Sequence, residues 1–63
     1  MLNKYKIWVI AQEYIDSHDY NVPLIQSPFV KIWEGEAEDS IHLMNKLDPN
    51  MMMYILHVER LKG

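Results

Sequence analysis

The sequence predicts one small α+β domain: a three-stranded antiparallel sheet with one short helix, in the order strand, strand, helix, strand. Three observations predict it. The chain has 63 residues, enough for a single domain. Three separate stretches alternate apolar and other residues at period two and are rich in β-branched and aromatic side chains. Between the second and third stretch the apolar spacing changes to that of a helix.

Residues 4–15 form the first predicted strand. Tyr5, Ile7, Val9, Ala11 and Ile15 fall on one face; Lys4, Lys6, Trp8, Ile10, Gln12 and Tyr14 fall on the other. Residues 16–19, Asp-Ser-His-Asp, read as a turn. Residues 20–28 read as a loop, because neither Pro23 nor Pro28 can donate to a strand ladder, with a candidate edge strand over residues 22–26. The second strand covers residues 29–34, with Phe29, Lys31 and Trp33 on one side, Val30 and Ile32 on the other, and Gly35 as its end. Residues 37–47 predict the helix: Ser40, Leu43, Met44 and Leu47 share a face and Ile41 stands at its edge. Asp48-Pro49 stops it, since a residue before proline avoids the helical region, and Asn50 completes the turn. Residues 51–61 make the third strand. Met52, Tyr54, Leu56 and Val58 are expected on one face, Met51, Met53, Ile55 and Leu61 on the other. A strand apolar on both faces is expected to be buried on both.

One three-turn helix covers one face of such a sheet and leaves Trp8, Trp33, Ile41 and several Met and Tyr side chains without cover. An exposed apolar patch marks an interface, and a second copy is the simplest cover, so a homodimer is expected. With no Cys in the chain, disulfides, thiol catalysis and Cys-based zinc sites are excluded. At 49% hydrophobic residues the chain is too apolar for a disordered tail. No apolar run reaches the roughly 20 residues of a membrane span, and no signal-peptide pattern opens the chain, so a soluble intracellular protein is expected.

The net charge of −3 hides its distribution. Residues 13–39 carry seven acids against Lys31 alone, while the flanking segments are slightly basic. Direct nucleic-acid binding needs a basic stripe and is disfavoured. The acidic segment suits a basic surface on another protein, or it only solvates a helix start, where acids favour the helix dipole.

Catalysis is not expected. His18, His42 and His57 are scattered over a loop, a helix and a strand with no metal-ligand spacing. Ser17, Ser27 and Ser40 lack a nucleophile context, and no Gly-rich phosphate loop exists. No cofactor and no metal are expected. The Met51-Met52-Met53 run reads as core filling or as an adaptable binding surface.

Residues 29–61 resemble the second half of the small acidic inhibitors of uracil-DNA glycosylase made by Bacillus phages. The matching features are the aromatic-rich strand (Phe29, Trp33), Gly35, the acidic helix start Glu38-Asp39-Ser40, the apolar Ile41, the short helix through Leu43 and Met44, a turn of similar length, and a strand closing on Leu61. The register runs without a gap and rests on pattern and spacing. The first half of the chain matches only as a strand followed by a longer loop.

The resemblance implies a homodimeric, non-enzymatic DNA mimic that acts in the cytoplasm of an infected bacterial host and blocks uracil-DNA glycosylase, hence base excision repair. A glycosylase flips its base out and inserts an apolar side chain into the minor groove within a basic surface. An inhibitor with carboxylates around an apolar pocket answers both features. By position, Glu34, Glu36, Glu38 and Asp39 would stand in for phosphates. Ser40 would hydrogen-bond the enzyme's DNA-backbone loops, and Ile41, Met44 and Asn45 of two protomers would line or rim the pocket. The chain departs from the family at Ile41, where the family has an aromatic, at Asn45, where it has a tyrosine, and at Lys31, where it has a glutamate. Two other readings stand beside this one: a small acidic homodimeric interaction or regulatory protein, and a phage mimic aimed at a different nucleic-acid-binding host protein.

Overall fold

The structure is a computed structural model and describes residues 2–61. Strand β1 (Asn3–Ala11) lies between β2 (Lys31–Ala37) and β3 (Met53–Leu61) and pairs antiparallel with both. Helix α2 (Ser40–Leu47) packs on one face. A single helical turn, α1 (Gln12–Ile15), and a 3-10 turn over Leu24–Gln26 occupy the long connection from β1 to β2. The fold is the α+β arrangement that the periodicity predicts.

β1 takes the centre because it is the strand with most to bury: Ile7, Val9 and Ile10 have no exposed surface. Its register assigns the faces. Tyr5 stands opposite Gly35 and Arg60, Ile7 opposite Trp33 and Val58, and Val9 opposite Lys31 and Ile55. This is the helix face. Ile7, Val9, Ala37, Leu43 and Met44 form the core, with Tyr5, Trp33, Met53 and Val58 packed against it. Lys4, Lys6, Trp8 and Ile10 therefore point to the opposite, open face. Ile10 is nevertheless fully buried there.

Several boundaries differ from expectation, each for a physical reason. β1 stops at Ala11, and Gln12–Ile15 coil into one turn instead of extending the strand, so Tyr14 stacks on Phe29 at 4.2 Å between ring centroids. The candidate edge strand at 22–26 is a 3-10 turn: Pro23 precedes it, and the amides of Gln26 and Ser27 donate to the carbonyls of Pro23 and Leu24. β2 begins at Lys31, because the amide of Phe29 donates to the Ser27 hydroxyl and that of Val30 to the Ser27 carbonyl. Gly35 lies inside β2 and does not end it. A Cβ there would meet Leu43 Cδ1 at 2.8 Å, so the glycine is a notch that lets the helix approach the sheet.

The helix starts at Ser40 and not at Ala37, which is the last residue of β2. Asp39 is extended (φ −150°, ψ 173°), and its carboxylate accepts from the amide of His42 at 2.8 Å, which makes it the N-cap. At the other end Asp48 closes the helix as predicted and then builds the turn. Its carboxylate accepts from the amides of Met52 at 3.0 Å and Met53 at 2.9 Å, and Met51 takes a positive φ of 53°.

The faces of β3 are the largest correction. The pairing of β1 with β3 shifts between Trp8 and Val9, so Leu56 is an extra, bulged residue. Met53 and Ile55 therefore share the helix face with Val58, while Tyr54 shares the open face with His57, Glu59 and Leu61. β3 is an edge strand and is not buried on both faces: Tyr54 is 49% and Ile55 43% exposed. Trp33, expected among the uncovered side chains, is half-buried and packs against the core. Trp8 lies half-buried on the open face, tilted against His57 at 4.9 Å, with Lys6 Nζ 5.0 Å from its ring.

No helix among the described residues is long and apolar enough to cross a membrane.

Candidate functional site

The residues singled out by sequence divide into three places. Glu38, Asp39, Ser40, Ile41 and Asn45 gather at the start and outer side of α2. Asp39 is the N-cap, Ser40 is the half-buried first residue, and Ile41 and Asn45 lie one turn apart, both exposed. Ile41 is 70% exposed, far from the burial typical of isoleucine, and stands two residues from Asp39. The start of the helix is tied to the sheet by the Asn3 side chain, whose Nδ2 donates to the Glu38 carbonyl at 3.2 Å.

Met44 lies elsewhere. It is 9% exposed and belongs to the core between α2 and β1, so it supports the helix from beneath and presents nothing to a partner. The helical spacing already put Met44 on the core face, and packing decides between that role and a pocket.

Glu34 and Glu36 form the third group. β2 turns both toward the open face, away from the side on which α2 packs, where Lys6 stands opposite Glu34 and Lys4 opposite Glu36. Lysines of the basic N-terminal segment thus stand across the strand from both by register. The four acids therefore do not make one row in a single protomer. Among the described residues, the ion pairs within 4 Å all involve histidine. His42 Nδ1 lies 3.4 Å from Asp39 Oδ1 and 3.9 Å from Glu38 Oε2, so when protonated it moderates the charge of the helix start.

The surface around Ile41 is a protruding apolar side chain beside two carboxylates. It can meet an apolar recess within a basic surface, or join a second copy to enclose a hole. Among the described residues no group of three His, Asp or Glu is placed to hold a metal ion.

Sequence reasoning did not single out the cleft of about 210 Å³ inside the β1–β2 connection. Tyr14, His18, Asp19 and Phe29 are among its walls, and the His18 ring nitrogen lies 2.7 Å from the Val22 carbonyl. Its signal was the density of aromatic and turn residues in a segment read only as a connector. The pairing of Lys4 and Lys6 with the β2 acids was also missed, because it depends on register and not on spacing.

Comparison with protein-family models, curated proteins and solved structures returns no match to this chain.

Proposed function

We propose that the protein is a stoichiometric inhibitor of a bacterial uracil-DNA glycosylase that acts as a DNA mimic. The observation that carries the reading is the exposed Ile41 at the start of α2, with Glu38 and Asp39 on one side and Asn45 one turn further. An exposed isoleucine beside carboxylates matches a surface built for DNA, where basic groups hold phosphates around an apolar side chain that enters the groove. The strand-strand-helix-strand order agrees with the resembled family. The site comprises Glu38, Asp39, Ser40, Ile41 and Asn45. A second protomer is needed to turn a protruding side chain into a pocket, and Glu34 and Glu36 act as a separate acidic patch on the sheet.

A second reading has its own support. Because Lys6 and Lys4 stand opposite Glu34 and Glu36, two of the seven acids of residues 13–39 face lysines across the strand, as expected of a homodimeric interaction protein whose acids only solvate it.

The test is uracil excision by purified glycosylase titrated with the full chain. Inhibition at near-equimolar ratio is expected, and its absence at micromolar excess overturns the reading. Ile41→Asp should weaken inhibition by at least about tenfold, about 1.4 kcal/mol, since it puts a charge at the centre of the contact. Charge is tested with Glu38→Gln and Asp39→Asn, because asparagine caps a helix about as well as aspartate and leaves the fold intact. Both should weaken inhibition more at low salt than at high salt. Inhibition of a different nucleic-acid enzyme, with no effect on the glycosylase, would reassign the target.

A further inference from the structure

We propose that the cleft inside the β1–β2 connection is a binding site for a small, flat organic cation. The ligand class is a single aromatic ring carrying a positively charged nitrogen group, such as an amidinium. The inference goes beyond the inhibitor reading and rests on no part of it.

The connection is larger than a link requires. Residues 12–30 lie between β1 and β2, whereas most connections in compact domains need only about 4–6 residues. The ends are already held together by the pairing of the strands, with Val9 opposite Lys31. Among the described residues, the core beneath α2 takes none from this segment. Yet the segment is folded on itself. The Tyr20 hydroxyl donates to the Ile15 carbonyl at 3.1 Å, and the Asn21 amide to Asp19 Oδ1 at 3.0 Å. The Val22 amide donates to the Asp19 carbonyl at 3.1 Å. These bonds fix the walls of the cleft from within the segment.

Size and lining set the body of the ligand. The cleft holds about 210 Å³. An apolar cavity of about 150 Å³ is enough for benzene, so this one admits a ring and a short substituent. Tyr14 and Phe29 form an aromatic wall, stacked at 4.2 Å and only 5° from parallel. Phe29 and Val22 both line the cleft and both remain open to water, at 49% and 39% exposure. A flat apolar ring removes that surface from water.

Charge and hydrogen bonding set its sign. From residue 7 to residue 30 the chain has no Lys or Arg, but it carries Glu13, Asp16 and Asp19. Asp19 is itself a wall of the cleft, and only its Oδ1 is taken, by the Asn21 amide. His18 adds another acceptor. Its Nε2 lies 2.7 Å from the Val22 carbonyl, which can only accept, so Nε2 carries the proton and Nδ1 of the neutral ring carries none. Ser27, also in the wall, is 9% exposed and accepts from the Phe29 amide. Among the described residues its second lone pair and its proton have no partner. Aromatic faces attract cations in addition. Acceptors and π faces beside a carboxylate suit a cation with N–H donors and repel an anion.

Titration of the full chain, followed by its backbone amide spectrum, tests the proposal. Three probes share nearly one shape and differ in charge: benzamidine, benzamide and benzoate. Benzamidine should shift the amides of Tyr14, His18, Asp19 and Phe29 on a saturable curve, with a Kd of about 1 mM or lower. Benzoate should bind at least about tenfold more weakly, with benzamide between them. Asp19→Asn keeps the side-chain acceptor for the Asn21 amide and should weaken benzamidine at least about fivefold. Asp16→Asn removes the same charge outside the cleft and should change affinity less than about twofold. Phe29→Leu keeps an apolar side chain without the aromatic face and should weaken all three probes. Amides of β1 and β3 report whether each variant is folded; if one is not, the ratio of benzamidine to benzoate on the wild type decides. No saturable shift up to about 10 mM benzamidine overturns the proposal. So does benzoate binding as tightly as benzamidine, or an equal loss in Asp16→Asn and Asp19→Asn.

Discussion

At the scale of single residues, Gly35 and Leu43 carry more of this fold than their sizes suggest. The core contains few fully buried side chains, and Leu43 is the helix's main contribution to it, at 2% exposure. It reaches the sheet because the residue beneath it has no Cβ. A valine at 35 has nowhere to go: Leu43 must move, and packed cores resist movement. Gly35→Val should therefore cost about 1–3 kcal/mol as overpacking. Leu43→Ala should cost about 2–5 kcal/mol as a cavity. The two changes compensate, because the added methyls enter the space the leucine vacated. The double variant should be more stable than the sum of the single effects by at least about 0.5 kcal/mol, measured by urea unfolding in a mutant cycle. Additive costs would mean that the two residues do not share that space.

At the scale of elements, what could be read from the residues and what could not follow from how local each signal is. Period-two alternation placed β1 and β3, the helical spacing placed α2, and Asp48-Pro49 placed its end, since all of these depend on neighbours in the chain. The errors lie where a distant contact decides. Gly35 reads as a strand end until Leu43 is seen above it. Alternation along β3 predicts the wrong partners for Tyr54 and Ile55, because one bulged residue, Leu56, exchanges the faces and is visible only in the pairing with β1. The candidate site shows the same division. Ile41 and Asn45 follow from helix geometry, whereas the separation of Glu34 and Glu36 from Glu38 and Asp39 follows from which way β2 turns its side chains. The turn after α2 offers a prediction at this scale. Asp48 binds the amides of Met52 and Met53 with both carboxylate oxygens and so joins the end of the helix to the start of β3. Asp48→Ala should lower stability by about 1–2 kcal/mol, because water replaces those bonds only in part. Hydrogen exchange should show the amides of Met52 and Met53 losing protection first; unchanged exchange there would mean that the turn holds without the carboxylate.

At the scale of the whole molecule, the acidic charge and the uncharged stretch of β3 belong to different parts of the structure. The acids concentrate in β2 and at the start of α2, and the uncharged residues concentrate in β3 on the far side of β1. The homodimer expected from the sequence would make stability depend on concentration. A folded monomer this small buries only about 60% of the surface its unfolded chain exposes, so folding and association support each other. When two copies unfold together, a tenfold rise in concentration adds about 1.4 kcal/mol per dimer. With an unfolding entropy near 2.1 cal/mol/K per residue over two chains, the midpoint should rise about 5 °C for each tenfold increase. Calorimetry at several concentrations reads this directly. A wild-type midpoint that does not move with concentration would mean that the chain is stable as a monomer despite its open β3 edge.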